Sequence, residues 1–230
     1  MNSSTDREAD RYVRQSGLLP QELLRRHPVT VVGVGAIGRQ VALQLAVMGV
    51  SPLTLIDPDR VAAVNLGAQG YLEADLGELK VDATTRLIGR LNADVEVVTH
   101  GRRFRRSEDA AEVLFVCVDS IETRGHIFAA VKDKVRFLVD GRMSAEALRV
   151  LTVRDAATLA HYPGTLFRSE EAYQGPCTAR TTYYGATIAA GLLVAHFARW
   201  LRGLDVPADV MLNLLADELV VQDAPVVVTS

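Results

Sequence analysis

The chain has 230 residues, 49% of them hydrophobic and 23% charged, with a formal net charge of -3. So small a charge excludes the strongly basic surface of a nucleic-acid or anionic-membrane binder. Two cysteines, Cys117 and Cys177, exclude a disulfide framework and a four-cysteine zinc site.

The length suits a single α/β domain over 1–230, and the elements predicted in chain order bear this out. Residues 1–28 read as an N-terminal helical segment carrying Arg11-Tyr12-Val13-Arg14-Gln15. Val29-Thr30-Val31-Val32 is an apolar run of strand length, followed directly by Gly33-Val34-Gly35-Ala36-Ile37-Gly38, which fits G-x-G-x-x-G. A second apolar run, Leu53–Ile56, ends in Asp57, nineteen residues beyond Gly38. Together these predict a nucleotide-binding βαβ unit whose acidic residue is placed for a ribose hydroxyl. Behind it come Asp59, Asn65-Leu66, Gln69, Gly77 and Lys80. A hydride-transferring enzyme has no use for an asparagine and a lysine at that distance, whereas an enzyme gripping ATP phosphates does.

Helical spacing of Ala83, Leu87, Ile88 and Leu91 predicts a helix over Val81–Leu91, and Asp94–Thr99 reads as a strand. Arg102, Arg103, Arg105 and Arg106 form a basic run, either a solvated turn or a docking patch for an acidic partner. Ser107 is a candidate helix cap, with Glu108 and Asp109 in the following turn. Val113–Val118 has the unbroken apolar character of a buried parallel strand and leads to Asp119, which either holds magnesium or caps the helix predicted over Ile121–Val131. Strands follow at Phe137–Val139, ending at Asp140-Gly141, and at Ala147–Val153. His161–Thr178 is poor in helix signal and long for a connection, as functional loops often are. Thr181–Ala198 has no charged residue and reaches the length of a membrane span. Its threonines, tyrosines and His196 argue instead for a buried helix, with Gly185, Ala186, Ala189, Ala190 and Ala195 suiting close packing on a sheet or a second subunit. Met211–Leu215 and Leu219–Gln222 read as a closing hairpin, and Pro225–Ser230 as a tail. The predicted architecture is a Rossmann-like open sheet, mostly parallel, with helices on both faces and an antiparallel extension. Residues 29–141 form its nucleotide-binding half and 142–224 its partner-binding or dimer half. With no apolar amino-terminal segment, the expected location is a reducing cytoplasm, free of membrane.

Singly, Asp59 and Asn65 are ordinary turn formers and Lys80 an ordinary first-turn residue. Their order changes that. Arg11-Tyr12-x-Arg14-Gln15, the glycine loop, Asp57-x-Asp59, Asn65-Leu66-x-x-Gln69, Gly77-x-x-Lys80 and Asp119-x-x-x-Thr123-Arg124 resemble the ThiF/MoeB/HesA family from about Asp10 to Asp223. That family includes the adenylation domain of ubiquitin-activating enzymes. The resemblance implies that Gly33, Gly35, Gly38, Asp57, Asp59, Asn65, Gln69 and Lys80 line an ATP site, with Asp57 on the ribose and Lys80 on the phosphates. It further implies that Asp119 acts through Mg2+ and that Arg14 reaches the ATP of the other subunit of a homodimer. The implied reaction is adenylation of the C-terminal carboxylate of a ubiquitin-like or sulfur-carrier protein ending in Gly-Gly. Cys177 is then either the acyl-accepting thiol or an inert cysteine, while Cys117, inside an apolar strand, is expected in the core.

Three departures stand out. The family's N-L-x-R-Q reads Asn65-Leu66-Gly67-Ala68-Gln69, so Ala68 stands where a phosphate-contacting arginine is expected, with Arg142 as the candidate substitute. The paired C-x-x-C zinc motifs are missing, and Val118-Asp119-Ser120 replaces T-D-N. Two further readings stay open: adenylation of a peptide or a tRNA base, and a degenerate subunit that only binds.

Overall fold

The computed structural model describes residues 11–105, 110–166 and 181–223. Among them, eight strands form one sheet in the order β3-β2-β1-β4-β5-β6-β7-β8. These are β1 (Val29–Val32), β2 (Leu53–Ile56), β3 (Val97–His100), β4 (Val113–Val116), β5 (Phe137–Ser144), β6 (Ala147–Val153), β7 (Asp209–Asn213) and β8 (Glu218–Gln222). The first five run parallel, and β6, β7 and β8 continue the sheet antiparallel. The connecting helices are α1 (Gln21–Arg25), α2 (Ala36–Met48), α3 (Ala63–Gln69), α4 (Lys80–Leu91), α5 (Ile121–Val131), α6 (Ala156–His161) and α7 (Tyr183–Leu201). This is the predicted open α/β architecture, and one sheet runs through both of its expected halves.

Two hydrophobic layers explain why the central strands are apolar throughout. Successive side chains of a strand point to opposite faces, so a strand covered on both faces shows no polar alternation. Val29, Val31, Val113, Phe115 and Val139 pack under α2, α4 and α7, while Val32, Leu114, Val116 and Leu138 pack against α5 and Tyr162. The small residues of α7 do what their size suggests: Gly185, Ala186, Ala189 and Ala190 are buried, and only Ala195 points outward. Opposite them a Cβ on Gly141 of β5 would come within 2.9 Å of Leu193. Helix and strand therefore lie in direct contact. Among the described residues no helix is long and apolar enough to cross a membrane.

Several boundaries differ from expectation. Strand β5 does not stop at Asp140-Gly141 but continues to Ser144, because it folds back on β6 through a tight turn in which Ala145 takes φ 54°. Strand β3 begins at Val97 rather than Asp94, and β7 begins at Asp209, ahead of Met211. Helix α6 and the 3-10 turn Tyr162–Thr165 occupy the start of the stretch read as helix-poor. Strand β8 forms the far edge of the sheet with every residue exposed. Arg106, the cap predicted at Ser107, most of the loop before α7 and the tail lie outside the described residues.

Candidate active site

Strand order reverses between β1 and β4, and in open α/β sheets ligands bind where that happens, beyond the carboxyl ends of the strands. Both the glycine loop and Asp119 stand there, one after β1 and one after β4. Gly33 takes φ +88°, and a Cβ on it would lie 2.7 Å from the Cys117 carbonyl oxygen; a Cβ on Gly38 would overlap the Gly33 carbonyl. The loop is pressed between β1 and the chain after β4, leaving no room for side chains at either position. Gly35, in contrast, would meet only the Gln69 amide, at 3.9 Å. Backbone at Gly35 is thus open to a ligand, beside the unpaired N–H groups of the first turn of α2. A Gly38→Ala chain should lose about 1–3 kcal/mol of stability as the loop is forced apart. It should also lose any ATP-induced rise in melting temperature; an unaltered urea midpoint would contradict the packing.

Asp57 is buried at the end of β2. Its Oδ2 accepts from the Val34 N–H at 2.6 Å and its Oδ1 from the Asp59 N–H at 2.8 Å. Burial pushes its carboxyl above the usual range, and the two backbone donors and Lys80 pull back. The carboxylate therefore braces the loop from behind. Lys80, the first residue of α4, places its ammonium 2.9 Å from Asp59, with the lysine side chain 7% and the aspartate 62% exposed. A buried cation is thus delivered to the surface of the crevice. Asn65 shows the turn-forming role, its Oδ1 accepting the Ala62 N–H at 2.9 Å where α3 begins. Gln69 ends α3 with its Oε1 buried and unpartnered beside Gly35.

The two readings of Asp119 separate clearly. Ser120, not Asp119, caps α5, accepting the Thr123 N–H at 3.3 Å. Asp119 is left exposed at the strand edge, with no hydrogen bond or ion pair to a described residue. Beneath it lies a group that sequence reasoning missed. Arg124 pairs with Asp140 and donates to the carbonyls of Val118 and Gly141. Burial lowers Arg124 to about 10. Asp140, 0% exposed, also accepts from the Tyr162 hydroxyl at 2.9 Å and from Arg142 Nε at 2.8 Å.

Arg142 therefore fails as the substitute for the arginine absent at Ala68. Its Nη1 donates to the Thr165 carbonyl at 2.7 Å and its Nη2 to Thr165 Oγ1 at 3.1 Å, so its fork is already committed to the protein's interior. The sequence hints at the members of this group but not at their pairing: Arg124 closes the Asp119-x-x-x-Thr123-Arg124 motif, and Asp140 and Arg142 continue an apolar strand.

Arg14 does not join the crevice. Gln15 beside it donates to the Met48 carbonyl at 2.8 Å, and the Tyr12 hydroxyl accepts from Asn92 at 2.7 Å. These bonds anchor the segment to the C-terminal end of α2, about 18 Å from the glycine loop at 1.5 Å per helical residue. Cys117 lies just past β4, half-buried against the core, its thiol pushed up to about 12 by burial. Cys177 lies outside the described residues.

An open α/β sheet with a glycine loop, a buried carboxylate behind it and a lysine at the crevice defines a nucleotide-binding domain. The family model described as the ThiF family matches residues 7–222, and the chain belongs to that family. Among curated proteins it is 35% identical over 156 residues to the adenylyltransferase and sulfurtransferase uba4 of Aspergillus terreus, covering 63% of this chain and 31% of that protein. It is 27% identical over 139 residues to ubiquitin-like modifier-activating enzyme 5 of Drosophila persimilis, covering 53% and 36%. The chain thus spans about a third of the length of these relatives. Among solved structures, selenomethionine PaaA superposes with a TM-score of 0.76 at 21% identity, covering 97% of this chain and 76% of that one. E. coli MccB with ATP superposes with a TM-score of 0.72 at 16% identity, covering 93% and 71%.

Proposed function

We propose that this chain uses ATP to adenylate the C-terminal carboxylate of a ubiquitin-like or sulfur-carrier protein ending in Gly-Gly. The observation that carries this reading is the set of groups around the crevice beyond β1, β2 and β4: the open backbone of Gly35, the braced Asp57, the ammonium of Lys80 paired with Asp59, and an exposed Asp119. In the reaction a carboxylate oxygen attacks the α-phosphorus of ATP, and the bond to the bridging oxygen breaks. The products are an acyl adenylate and pyrophosphate. Charge grows on the phosphate oxygens as that happens, and fixed cations stabilise it. Gly33–Gly38 would orient the phosphates, Asp57 the ribose and Lys80 the developing charge. Magnesium held by Asp119 would supply further neutralisation at the leaving pyrophosphate. Asn65 would support the pocket by shaping the start of α3, and Gln69 would offer its free amide beside Gly35.

Arg14 fits the same reading only across a dimer, since the length of α2 separates it from the loop of its own chain. Cys177 is retained as the candidate acceptor of the acyl group, and a reducing cytoplasm as the setting. The name of ubiquitin-like modifier-activating enzyme 5 supports a ubiquitin-like substrate, and that of the adenylyltransferase and sulfurtransferase uba4 supports the adenylyl chemistry. A peptide substrate is the second reading; E. coli MccB, which shares the fold, was solved with MccA.

ATP–pyrophosphate exchange separates the two. Exchange should appear on adding a β-grasp carrier ending in Gly-Gly and vanish when those two glycines are removed. It should also fall more steeply than in proportion as the enzyme is diluted, because Arg14 needs a partner. Exchange driven by a short peptide alone would move the substrate class to the second reading, and activity per molecule constant at every dilution would remove the dimer.

A further inference from the structure

We propose that Arg39 binds the β- and γ-phosphates of ATP, providing the cation that Ala68 does not. The proposal rests on the reading of the chain as an ATP-dependent adenylyltransferase. Arg39 directly follows the last glycine of the loop, in the first turns of α2. It is 1% exposed, yet its Nε and Nη1 are buried without a hydrogen-bond partner, and among the described residues it forms no ion pair. Other residues of the same helix, Val41, Ala42 and Leu45, are ordinary apolar core. What Arg39 does touch is Tyr71: the guanidinium carbon stands 4.0 Å from the ring centroid. The hydroxyl of that ring donates to the Val34 carbonyl, inside the glycine loop, at 2.6 Å, and lies 3.4 Å from the Lys80 carbonyl. One aromatic ring thus links the guanidinium to the loop and to the start of α4.

A guanidinium keeps its charge at any working pH, so burial cannot be relieved by losing a proton. An aromatic face offsets only part of the desolvation, and two unmade hydrogen bonds add to the cost. A fold does not keep such a group without a counter-charge unless something else completes it. Here the missing partner must be an anion able to accept from more than one N–H at the foot of a glycine loop and a helix N-terminus, which is the chemistry of a polyphosphate. Every guanidinium nitrogen of Arg142, the other candidate, is already hydrogen-bonded. Two of the nitrogens of Arg39 are not.

The test compares the wild type, Arg39→Met and Arg39→Met with Ala68→Arg, reading the dissociation constants of ATP and of AMP and the melting temperature without nucleotide. Met keeps the length and apolar stem of the side chain. Arg39→Met should weaken ATP about 10- to 100-fold, the range for one charge-assisted contact, and leave AMP unchanged, since AMP has no β- or γ-phosphate. The same variant should melt higher than the wild type in the absence of nucleotide, because an unmatched buried charge has been removed. Ala68→Arg should restore ATP binding in that background by placing a cation on the adjoining helix. Equal ATP affinity in wild type and Arg39→Met overturns the proposal, as does a variant that melts lower and loses ATP and AMP alike, the behaviour of a purely structural arginine. A wild type that binds neither nucleotide overturns the adenylyltransferase reading itself and the proposal with it. Binding by wild type and Arg39→Met alike would leave that reading intact.

Discussion

An Asp119→Ala chain should lose ATP–pyrophosphate exchange by about 100- to 1,000-fold, the scale for removing one group that stabilises charge in a transition state. It should unfold at the wild-type urea concentration. The two halves of this expectation come from one fact: Asp119 stands exposed at the end of the β4 segment without a hydrogen bond to a described residue, while Ser120 does the capping. Exposed positions of this kind change stability by about 0.5 kcal/mol or less. Ser120→Ala should behave in the opposite way, costing about 1 kcal/mol of stability through the lost cap. Exchange at the wild-type rate in Asp119→Ala would remove Asp119 from the chemistry. Parallel loss of stability and exchange would recast it as a structural residue.

Asp140→Asn should be the most damaging single change to stability, about 3–5 kcal/mol. The carboxylate is fully buried and is the shared counter-charge of Arg124 and Arg142, both themselves buried. An amide keeps the size but leaves two guanidinium groups facing each other with no negative charge between them. Either arginine alone would be tolerated better than both, so Arg142→Met added to Asp140→Asn should recover part of the loss. Urea denaturation at neutral pH measures both. A midpoint within error of the wild type would show that the cluster is held by its carbonyl acceptors rather than by charge.

The parallel half of this fold is legible because burial on both faces writes itself as unbroken apolar runs: β1 and β2 coincide with the runs that predict them, and β4 stops at Val116, two residues short. The local geometry of the candidate site is legible for a related reason. Gly33, Gly38, Asp57 and Lys80 are constrained by backbone contact or burial, so their spacing follows the geometry of the loop. The rest depends on pairings between residues far apart in sequence. Nothing local announces that Arg142 turns inward to Thr165, or that the ring of Tyr71 bridges Arg39 to Val34. Helix α3 is hard to read because it has only seven residues with Gly67 inside it, and Asn65 reads as a turn until its side chain is seen starting a helix.

The bracing of the loop by Asp57 has a kinetic side. Because Val34 and Asp59 are already tied to the two carboxylate oxygens, the cradle exists before any ligand arrives. On the proposed reading a nucleotide would meet a formed surface, with little ordering left to slow its capture or weaken its hold. The same ties make one proton act twice. Burial raises the Asp57 carboxyl, so acidification reaches it sooner than an ordinary aspartate. Protonation would then release an acceptor from the loop and, on the proposed reading, remove the charge meant for the ribose in a single event.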